Sequence, residues 1–170
     1  GLPNRRLLMD RIQHALTTSA RSGRVGAILF LDLDHFKTLN DTLGHDVGDI
    51  LLQQVAERLK TCVRAGDTVA RFGGDEFIIM LEDLSLQPPE AISEADRIAQ
   101  KILKAVNQAY TLKGKEYLSS TSIGITLFCG RDTGSNELIK QADIAMYQAK
   151  NKGRNGLRFF DSEMLIEIDS

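Results

Sequence analysis

The sequence has little or nothing of several features that define whole classes of protein. Its 170 residues include no tryptophan, only two cysteines and only three prolines. No apolar run approaches the ~18–20 residues that a membrane-spanning helix needs, and no apolar stretch follows the first basic residues, as it would in a secretory signal. Cys62 and Cys129 are too isolated for a disulfide framework, which predicts a reducing, cytoplasmic environment.

Strong charge of one sign is also missing. The 21 Lys and Arg against 23 Asp and Glu give a formal net charge of −2, so broad attraction to nucleic acid or to anionic membranes is not expected. His14, His35 and His45 lack the spacing of metal ligands, and no zinc site is predicted. The phosphate-binding loop, the dinucleotide-binding glycine motif and the hydrolase nucleophile elbow are absent as well.

Helical and strand-like patterns alternate along the chain, which predicts a single α/β domain. Helices are expected at 4–22, 35–43, 47–64, 92–109 and 137–150. Strands are expected at 25–33, 68–72, 77–81, 122–128 and 157–160, with a hairpin over 110–118. The first strand is almost continuously apolar, which is typical of a central strand buried on both faces. Gly73 and Gly74 predict a tight hairpin turn, because glycine adopts positive φ at little cost.

Acidic residues follow two of these predicted strands. Asp32 and Asp34 end the first apolar strand, and Asp75 and Glu76 lie at the Gly-Gly turn. If these strands are neighbours in one sheet, Asp32 and Asp75 meet at one edge. Two carboxylates and a strand carbonyl can hold Mg²⁺, which prefers oxygen ligands and keeps phosphate oxygens as its remaining partners. The alternative is that Asp34 caps a helix and Asp75 is an ordinary turn residue.

The segment 71–77 reads Arg-Phe-Gly-Gly-Asp-Glu-Phe. It resembles the signature of the GGDEF family, the diguanylate cyclases of bacterial signalling. Further segments resemble the family in the same order along nearly the whole chain: GLPNRR (1–6), DLDHFK (32–37), ND (40–41), GHDVGD (44–49), AD (142–143), YQAK (147–150) and GRN (153–155).

The resemblance implies a fold and a reaction. Family members have the polymerase-palm and adenylyl-cyclase architecture, an α+β fold in which helices flank a central, mainly antiparallel sheet. Each domain binds one GTP, and two domains face each other as a homodimer to make cyclic di-GMP and release pyrophosphate. The resemblance makes Asp32, Asp75 and the Leu33 carbonyl the ligands of Mg²⁺, or of Mn²⁺ in its place. It also makes Asp75 the base for the 3′-hydroxyl, with Glu76 beside it supporting the metal site.

The resemblance also assigns residues to the guanine base. Asn40 and Asp49 match those that hold it, and His45 matches a histidine close to the substrate. A carboxylate can accept hydrogen bonds from the amino and ring N–H groups of guanine, a pair that adenine does not offer. Asp49 is therefore expected to select the purine. The alternative for Asp49 is a favourable charge in the first turn of the helix that starts at Val47, worth about 0.3–1 kcal/mol.

The phosphate-binding residues follow from the same resemblance. Phe36 and Lys37 match residues that line the phosphate pocket, and Lys150 and Arg154 match basic residues that reach the triphosphate. For this second pair the alternative is simple attraction of cations to a helix C-terminus. A side chain at Gly73 or Gly74 would fill the space where ribose and α-phosphate approach the turn.

A second site is implied by Arg64-Ala65-Gly66-Asp67, which resembles the family's Arg-x-x-Asp inhibitory motif. There Arg64 and Asp67 would bind the product and restrain the domains from facing each other. Where the family often has a further arginine on the following helix, this chain has Lys101, which keeps the charge but not the planar fork of donors. The alternative is a surface ion pair worth at most about 1 kcal/mol.

The sequence leaves alternatives to the enzyme open and predicts where the domain ends. A non-catalytic module that binds GTP or cyclic di-GMP is the main alternative to the enzyme, and a nucleic-acid polymerase palm is disfavoured by the net charge of −2. The domain is expected to span 1–161, with 162–170 as a tail or linker. The segment Arg158–Met164 resembles the junction to an EAL phosphodiesterase domain, and the first residue is not Met. A longer protein is therefore expected, in which the resemblance allows, but does not require, fused sensory and EAL domains.

Overall fold

The structure is a computed structural model that describes residues 2–161. The helices in this range are α1 (Arg5–Ser22), α2 (Phe36–Leu43), α3 (His45–Cys62), α4 (Pro88–Val106) and α5 (Ser135–Asn151). The strands are β1 (Gly26–Leu33), β2 (Thr68–Arg71), β3 (Glu76–Leu81), β4 (Tyr110–Leu112), β5 (Lys115–Tyr117), β6 (Thr121–Phe128) and β7 (Gly156–Phe159). The predicted tail, 162–170, lies outside the described residues.

Five strands form the main sheet in the order β2-β3-β1-β6-β7, and β4 and β5 form a separate hairpin. All neighbours in the main sheet are antiparallel except β6 and β7, which are parallel. The expected fold class, a mainly antiparallel sheet flanked by helices, is therefore confirmed.

The sheet separates two hydrophobic cores, and β1 contributes to both. Leu29 and Leu31 pack into the core under α3 and α4, whereas Ile28 and Phe30 pack into the core under α1 and α5. Because successive strand residues point to opposite faces, this alternation confirms that β1 is central and buried on both sides.

The predicted element ends need small corrections. The Asn4 side chain caps α1 as its residue type suggests, and accepts a hydrogen bond from the Leu7 N–H at 3.0 Å. Helix α4 begins at Pro88, four residues before the expected start at Ile92, because proline is well tolerated in a first helical turn. Helix α3 begins at His45, two residues before the expected start at Val47. No helix within residues 2–161 is long and apolar enough to cross a membrane.

Candidate active site

Asp32 and Asp75 meet at one edge of the main sheet. The antiparallel strands β1 and β3 are in a register that pairs Asp32 with Glu76. Asp75 comes immediately before β3, and its carbonyl oxygen accepts a hydrogen bond from the Leu33 N–H at 3.2 Å. The end of β1 and the Gly-Gly turn are thus joined through their backbones, which brings the two carboxylates together.

Asp32 lies in a strained electrostatic position. Two effects raise the pKa of Asp32 to about 7: burial, which is the larger, and the nearby Asp75 carboxylate. The Lys150 ammonium opposes both, and its Nζ lies 3.2 Å from Asp32 Oδ2. The other oxygen, Oδ1, is buried and has no hydrogen-bond partner among the residues that the structure describes.

This pair of acids fits a divalent cation. A cation between the two carboxylates would take up the unsatisfied oxygen of Asp32 and offset the repulsion from Asp75. Within residues 2–161 there is no group of three or more His, Cys, Asp or Glu side chains arranged to bind a metal. The remaining ligands would therefore be a backbone carbonyl, such as that of Leu33, and oxygens of a bound nucleotide.

Glu76 lies beside these acids and is half-buried. Burial raises the pKa of Glu76, and the charges of Asp75 and Asp143 raise it further, whereas Arg5 and Lys150 lower it. Asp143 lies on α5, and burial raises its pKa too. The sequence patterns gave no role to Arg5 or Asp143, because only the packing of α1 and α5 against the sheet brings them to the turn.

The Gly-Gly turn is held by two arginines. Arg71 donates to the carbonyl oxygens of Gly73 and Gly74 at 3.3 and 2.8 Å. The Arg5 guanidinium lies 3.9 Å from the centre of the Phe72 ring and donates to the Phe72 carbonyl at 3.4 Å. Neither arginine was assigned a role from sequence.

Gly73 and Gly74 form the expected turn, but the expectation that they are needed for a positive φ is wrong. The hairpin is present, but neither glycine of the turn has positive φ. A Cβ at Gly73 would overlap the Glu76 carboxylate, whereas a Cβ at Gly74 would meet nothing within 4 Å. Gly74 therefore leaves open space on its exposed side, while Gly73 lets Glu76 fold back against the turn.

Helices α2 and α3 bring Asn40 and His45 together, two of the three residues expected at the guanine site. Asn40 Nδ2 lies 2.8 Å from His45 Nδ1. A Cβ at Gly48 would overlap Asn40 Oδ1, so this glycine lets the two helices approach each other. Asp49 is exposed and lies beyond the first turn of α3, because the helix begins at His45. The helix-dipole alternative for Asp49 thus loses its basis.

Phe36 and Lys37 form the start of α2, close to the end of β1. The Phe36 side chain is partly buried against the core, and Lys37 is exposed. On the other side of the site, Lys150 lies in the last turn of α5 and is engaged with Asp32. Arg154 lies beyond the end of α5, in the turn that leads into β7, with φ of 62°.

Asp34 is not a helix cap, which corrects the alternative considered for it. The cap position of α2 is His35, with φ of 58° and no side-chain hydrogen bond to the helix. The buried Asp34 carboxylate instead accepts from the hydroxyls of Ser120 and Ser122, at 2.6 and 2.7 Å, and from the Asn155 N–H at 3.0 Å. None of these partners could be found from local sequence patterns.

The segment Arg64–Asp67 forms a compact loop after α3. Asp67 accepts from the N–H groups of Arg64 and Glu82 at 2.9 and 3.0 Å, and its side chain is 2% exposed. Arg64 Nε lies 3.5 Å from Asp67, and another guanidinium nitrogen donates to the Glu82 carbonyl at 2.6 Å. Lys101, on α4, is near enough to lower the pKa of Cys62, which burial raises more strongly.

This loop borders a cavity of about 430 Å³. The α1 residues Asp10, Arg11 and His14 form its other wall. The structure therefore contains the ion pair of the simpler alternative, and it places that pair beside a space open to a ligand.

Comparison with known proteins gives a consistent result. The family model described as "Diguanylate cyclase, GGDEF domain" matches residues 1–156. A bifunctional diguanylate cyclase/cyclic di-GMP phosphodiesterase of Pseudomonas aeruginosa, MucR, is 47% identical over 163 residues, which are 96% of this chain and 23% of the relative. The cyclic di-GMP phosphodiesterase NbdA of the same species is 37% identical over 166 residues, which are 98% of this chain and 20% of that protein.

Solved structures agree with the sequence relatives. The crystal structure of the GGDEF domain of YfiN from Pseudomonas aeruginosa superposes with a TM-score of 0.88 and 36% identity, covering 95% of this chain and 98% of that one. The chain spans 20% to 23% of the length of the two curated relatives described above, which are therefore much longer proteins.

Proposed function

Because the chain belongs to the GGDEF family, we propose that it is a diguanylate cyclase, which condenses two GTP molecules into cyclic di-GMP and releases two pyrophosphates. The observation that carries the proposal is the meeting of Asp32 and Asp75 at the Gly-Gly turn, with one Asp32 oxygen buried and unsatisfied. The reducing cytoplasm is the proposed compartment, in keeping with two free cysteines.

Asp32, Asp75 and the Leu33 carbonyl would hold Mg²⁺, or Mn²⁺ in its place. When bound, such an ion neutralises triphosphate charge and favours the in-line transition state. The Lys150 ammonium forms an ion pair with one Asp32 oxygen. When nucleotide and metal bind together, the metal would replace Lys150 at Asp32, and Lys150 would contact a phosphate instead. Glu76 supports the same site, and its ionisation is favoured by Arg5.

The remaining substrate contacts follow the geometry around this edge. Asp49 and Asn40 would bind the guanine edge, with His45 orienting the Asn40 amide. Phe36 and Lys37 at the start of α2, and Arg154 after α5, would contact the phosphates. Gly74 leaves the space in which the ribose lies.

The reaction needs two copies of the domain. Each domain would bind one GTP, whose 3′-hydroxyl would attack the α-phosphate of the GTP on the facing domain. Asp75 would accept the proton of this hydroxyl. Each attack forms one phosphodiester bond and releases one pyrophosphate. A homodimer therefore supplies proximity that a monomer lacks.

We also propose product inhibition at Arg64 and Asp67, with Lys101 contributing charge. The support is the cavity that Ala65, Gly66 and Asp67 border, together with the exposed side chain of the neighbouring Arg64. In this role Arg64 would exchange its contact with the Glu82 carbonyl for the phosphate or guanine of cyclic di-GMP.

A GTP-binding regulatory module is the second candidate. It is favoured by the similarity to NbdA, whose name gives only the phosphodiesterase activity although the similarity covers 98% of this chain. In a longer protein with an EAL domain, such a module would bind GTP and modulate its neighbour without turning GTP over.

Incubation of the purified domain with GTP and Mg²⁺, followed by chromatography, distinguishes the two candidates. The cyclase predicts a new peak that co-elutes with cyclic di-GMP and disappears in Asp75→Asn. GTP binding without any product would instead support the regulatory module. The control is Asp132→Asn, which changes an exposed carboxylate in the loop before α5 and should leave turnover unaffected.

A further inference from the structure

Asp34 is a buried carboxylate whose hydrogen-bond partners are neutral. Its relative exposure is 6%, and two serine hydroxyls and one backbone N–H donate to it. A buried charge is costly unless it is well bonded, and a smaller neutral residue would satisfy two hydroxyls. The longer carboxylate side chain also extends from the end of β1 past β6 and accepts a hydrogen bond from the segment before β7.

That segment is the turn between α5 and β7. Arg154 and Asn155 both have left-handed backbone conformations, with φ of 62° and 46°. Two consecutive residues other than glycine in this region are costly, and they persist only where surrounding contacts fix them. Two such contacts are present: the Asn155 N–H donates to Asp34, and Asn107 Nδ2 donates to Asn155 Oδ1 at 2.8 Å.

Asp34 also lies next to the other parts of the site. It follows Asp32 and Leu33 directly and precedes His35, which has a left-handed backbone and is the cap residue of α2. Its own N–H donates to the Ser120 carbonyl at 2.9 Å. Asp34 thus lies between the end of β1 and the entry to α2 in the chain, and its side chain links this point to the turn that carries Arg154.

We propose that Asp34 is a positioning residue for triphosphate binding: its bond to the Asn155 N–H holds the strained turn that directs Arg154 toward the nucleotide. The proposal rests on the proposed function, because it assumes that Arg154 contacts phosphate. In this role Asp34 contacts neither nucleotide nor metal, because its side chain is fully engaged with Ser120, Ser122 and Asn155. Its effect on GTP must therefore pass through Arg154.

A double-mutant cycle tests this dependence. Calorimetry with 3′-deoxy-GTP and Mg²⁺ measures binding alone, since this nucleotide lacks the attacking hydroxyl. Arg154→Ala should weaken binding about 10- to 100-fold, the loss expected for a charged hydrogen bond. Asp34→Ala should weaken binding by a similar factor, and the double variant should bind within about twofold of Arg154→Ala. Fold-changes that multiply would overturn the proposal, as would unchanged binding by Asp34→Ala.

Two further variants separate position from charge. In Asp34→Asn the amide oxygen can still accept from Asn155 while its NH₂ group faces the Ser122 hydroxyl, so binding should stay within about twofold of the unmodified domain. A large loss in this variant would mean that the charge acts directly, and would contradict the proposal. Ser122→Ala is the matched control, because it removes a hydrogen bond from the same carboxylate and spares Asn155.

If Asp34→Ala does not fold, Asn107→Ala takes its place in the cycle, because it removes the second support of the same turn. Its effect should again vanish in the Arg154→Ala background, and independent effects would overturn the role of the turn. Failure of the proposed function has a different result: Arg154→Ala would then bind 3′-deoxy-GTP as well as the unmodified domain does.

Discussion

At the scale of single residues, the two acids at the end of β1, Asp32 and Asp34, differ in how far their carboxylate oxygens find partners. Asp34 is satisfied by three neutral donors, whereas Asp32 has one oxygen bound to Lys150 and one without a partner. A fully satisfied buried carboxylate is typical of a structural role, and a half-satisfied one indicates a site that waits for a ligand.

The raised pKa of Asp32 makes the metal-free domain less stable at higher pH. With a folded-state pKa of about 7 against the ordinary 3.8, the folded form keeps a proton that the unfolded form has lost. Stability therefore falls as pH rises from about 4 through about 7. Asp32→Asn lacks this ionisation, so without metal its melting temperature should exceed that of the unmodified domain by a few degrees at pH 8 and by less at pH 5.

Thermal melts in a chelating buffer at both pH values measure this difference. Asp132→Asn, an exposed aspartate, is the control and should follow the unmodified domain at both. If the melting temperature of Asp32→Asn at pH 8 equals that of the unmodified domain, ionised Asp32 does not destabilise the metal-free fold.

Gly74 is needed for the substrate rather than for the fold. It has ordinary backbone geometry, and a methyl group there meets no protein atom. Gly74→Ala should therefore melt within about 2 °C of the unmodified domain, given that 1 kcal/mol shifts the melting temperature by about 2–4 °C, and lose at least about 100-fold in turnover if the methyl group displaces ribose.

Turnover assays with Gly134→Ala as the matched control test this, because Gly134 is equally open and lies away from the turn. Normal activity in Gly74→Ala would show that no substrate group occupies this space.

At the scale of elements, the close approach of α5 to β6 positions Lys150 and Arg154. A Cβ at Gly124 would overlap the Ala142 carbonyl oxygen and the Met146 nitrogen. Backbone atoms of a packed helix cannot move aside cheaply, so Gly124→Ala should lower the free energy of unfolding by about 1–3 kcal/mol. Urea denaturation followed by circular dichroism measures this, with Gly66→Ala as the control, because a Cβ at Gly66 meets nothing within 4 Å and Gly66 lies outside α5. An unchanged midpoint would show that α5 shifts freely on the sheet.

The sequence predicted the elements well because their patterns are local. The apolar run of β1 and the spacing of Val47, Leu51, Val55 and Leu59 identify a strand and a helix without tertiary information. Helix starts are predicted less accurately: the apolar pattern begins at Ile92, whereas α4 begins at Pro88, because proline also begins helices.

Site residues could be predicted from the sequence only where they belong to a local motif or to the end of a predicted strand. Asp32 and Asp75 could be placed together because neighbouring strands end at a common edge. The contacts of Asp34 with Asn155 and of Glu76 with Asp143 join residues far apart in the chain, and no periodic pattern encodes them. Arg5 reaches the turn only through the packing of α1 against the sheet edge, whereas Arg71 lies next to the turn in sequence and bonds to it locally.

At the scale of the whole molecule, two exposed regions have separate roles in the proposed function. One is the edge that contains Asp32 and Asp75, and the other is the loop of Arg64 and Asp67. The second region can regulate the first only if it binds the product that the first makes. Regulation is therefore testable without altering the catalytic edge.

Arg64→Ala should relieve inhibition by cyclic di-GMP. Loss of the guanidinium removes charged hydrogen bonds to the product, so the concentration for half-inhibition should rise at least about tenfold. The cost in stability should stay below about 1 kcal/mol, since the ion pair with Asp67 is exposed on the arginine side.

Initial rates against added cyclic di-GMP provide the measurement. Lys60→Ala, which breaks an exposed ion pair with Glu57 near the end of α3, just before the loop of Arg64, is the control. Equal inhibition of the Arg64→Ala and unmodified domains would place the product elsewhere.

The most direct test of the central claim is electron paramagnetic resonance of Mn²⁺ titrated into the domain with 3′-deoxy-GTP. If Asp32 and Asp75 together hold the nucleotide-bound cation, the unmodified domain binds Mn²⁺ far more tightly with nucleotide than without it. Asp32→Asn and Asp75→Asn should each lose this gain, while Asp132→Asn keeps it. Nucleotide-dependent Mn²⁺ binding that survives in both Asp32→Asn and Asp75→Asn would contradict the account.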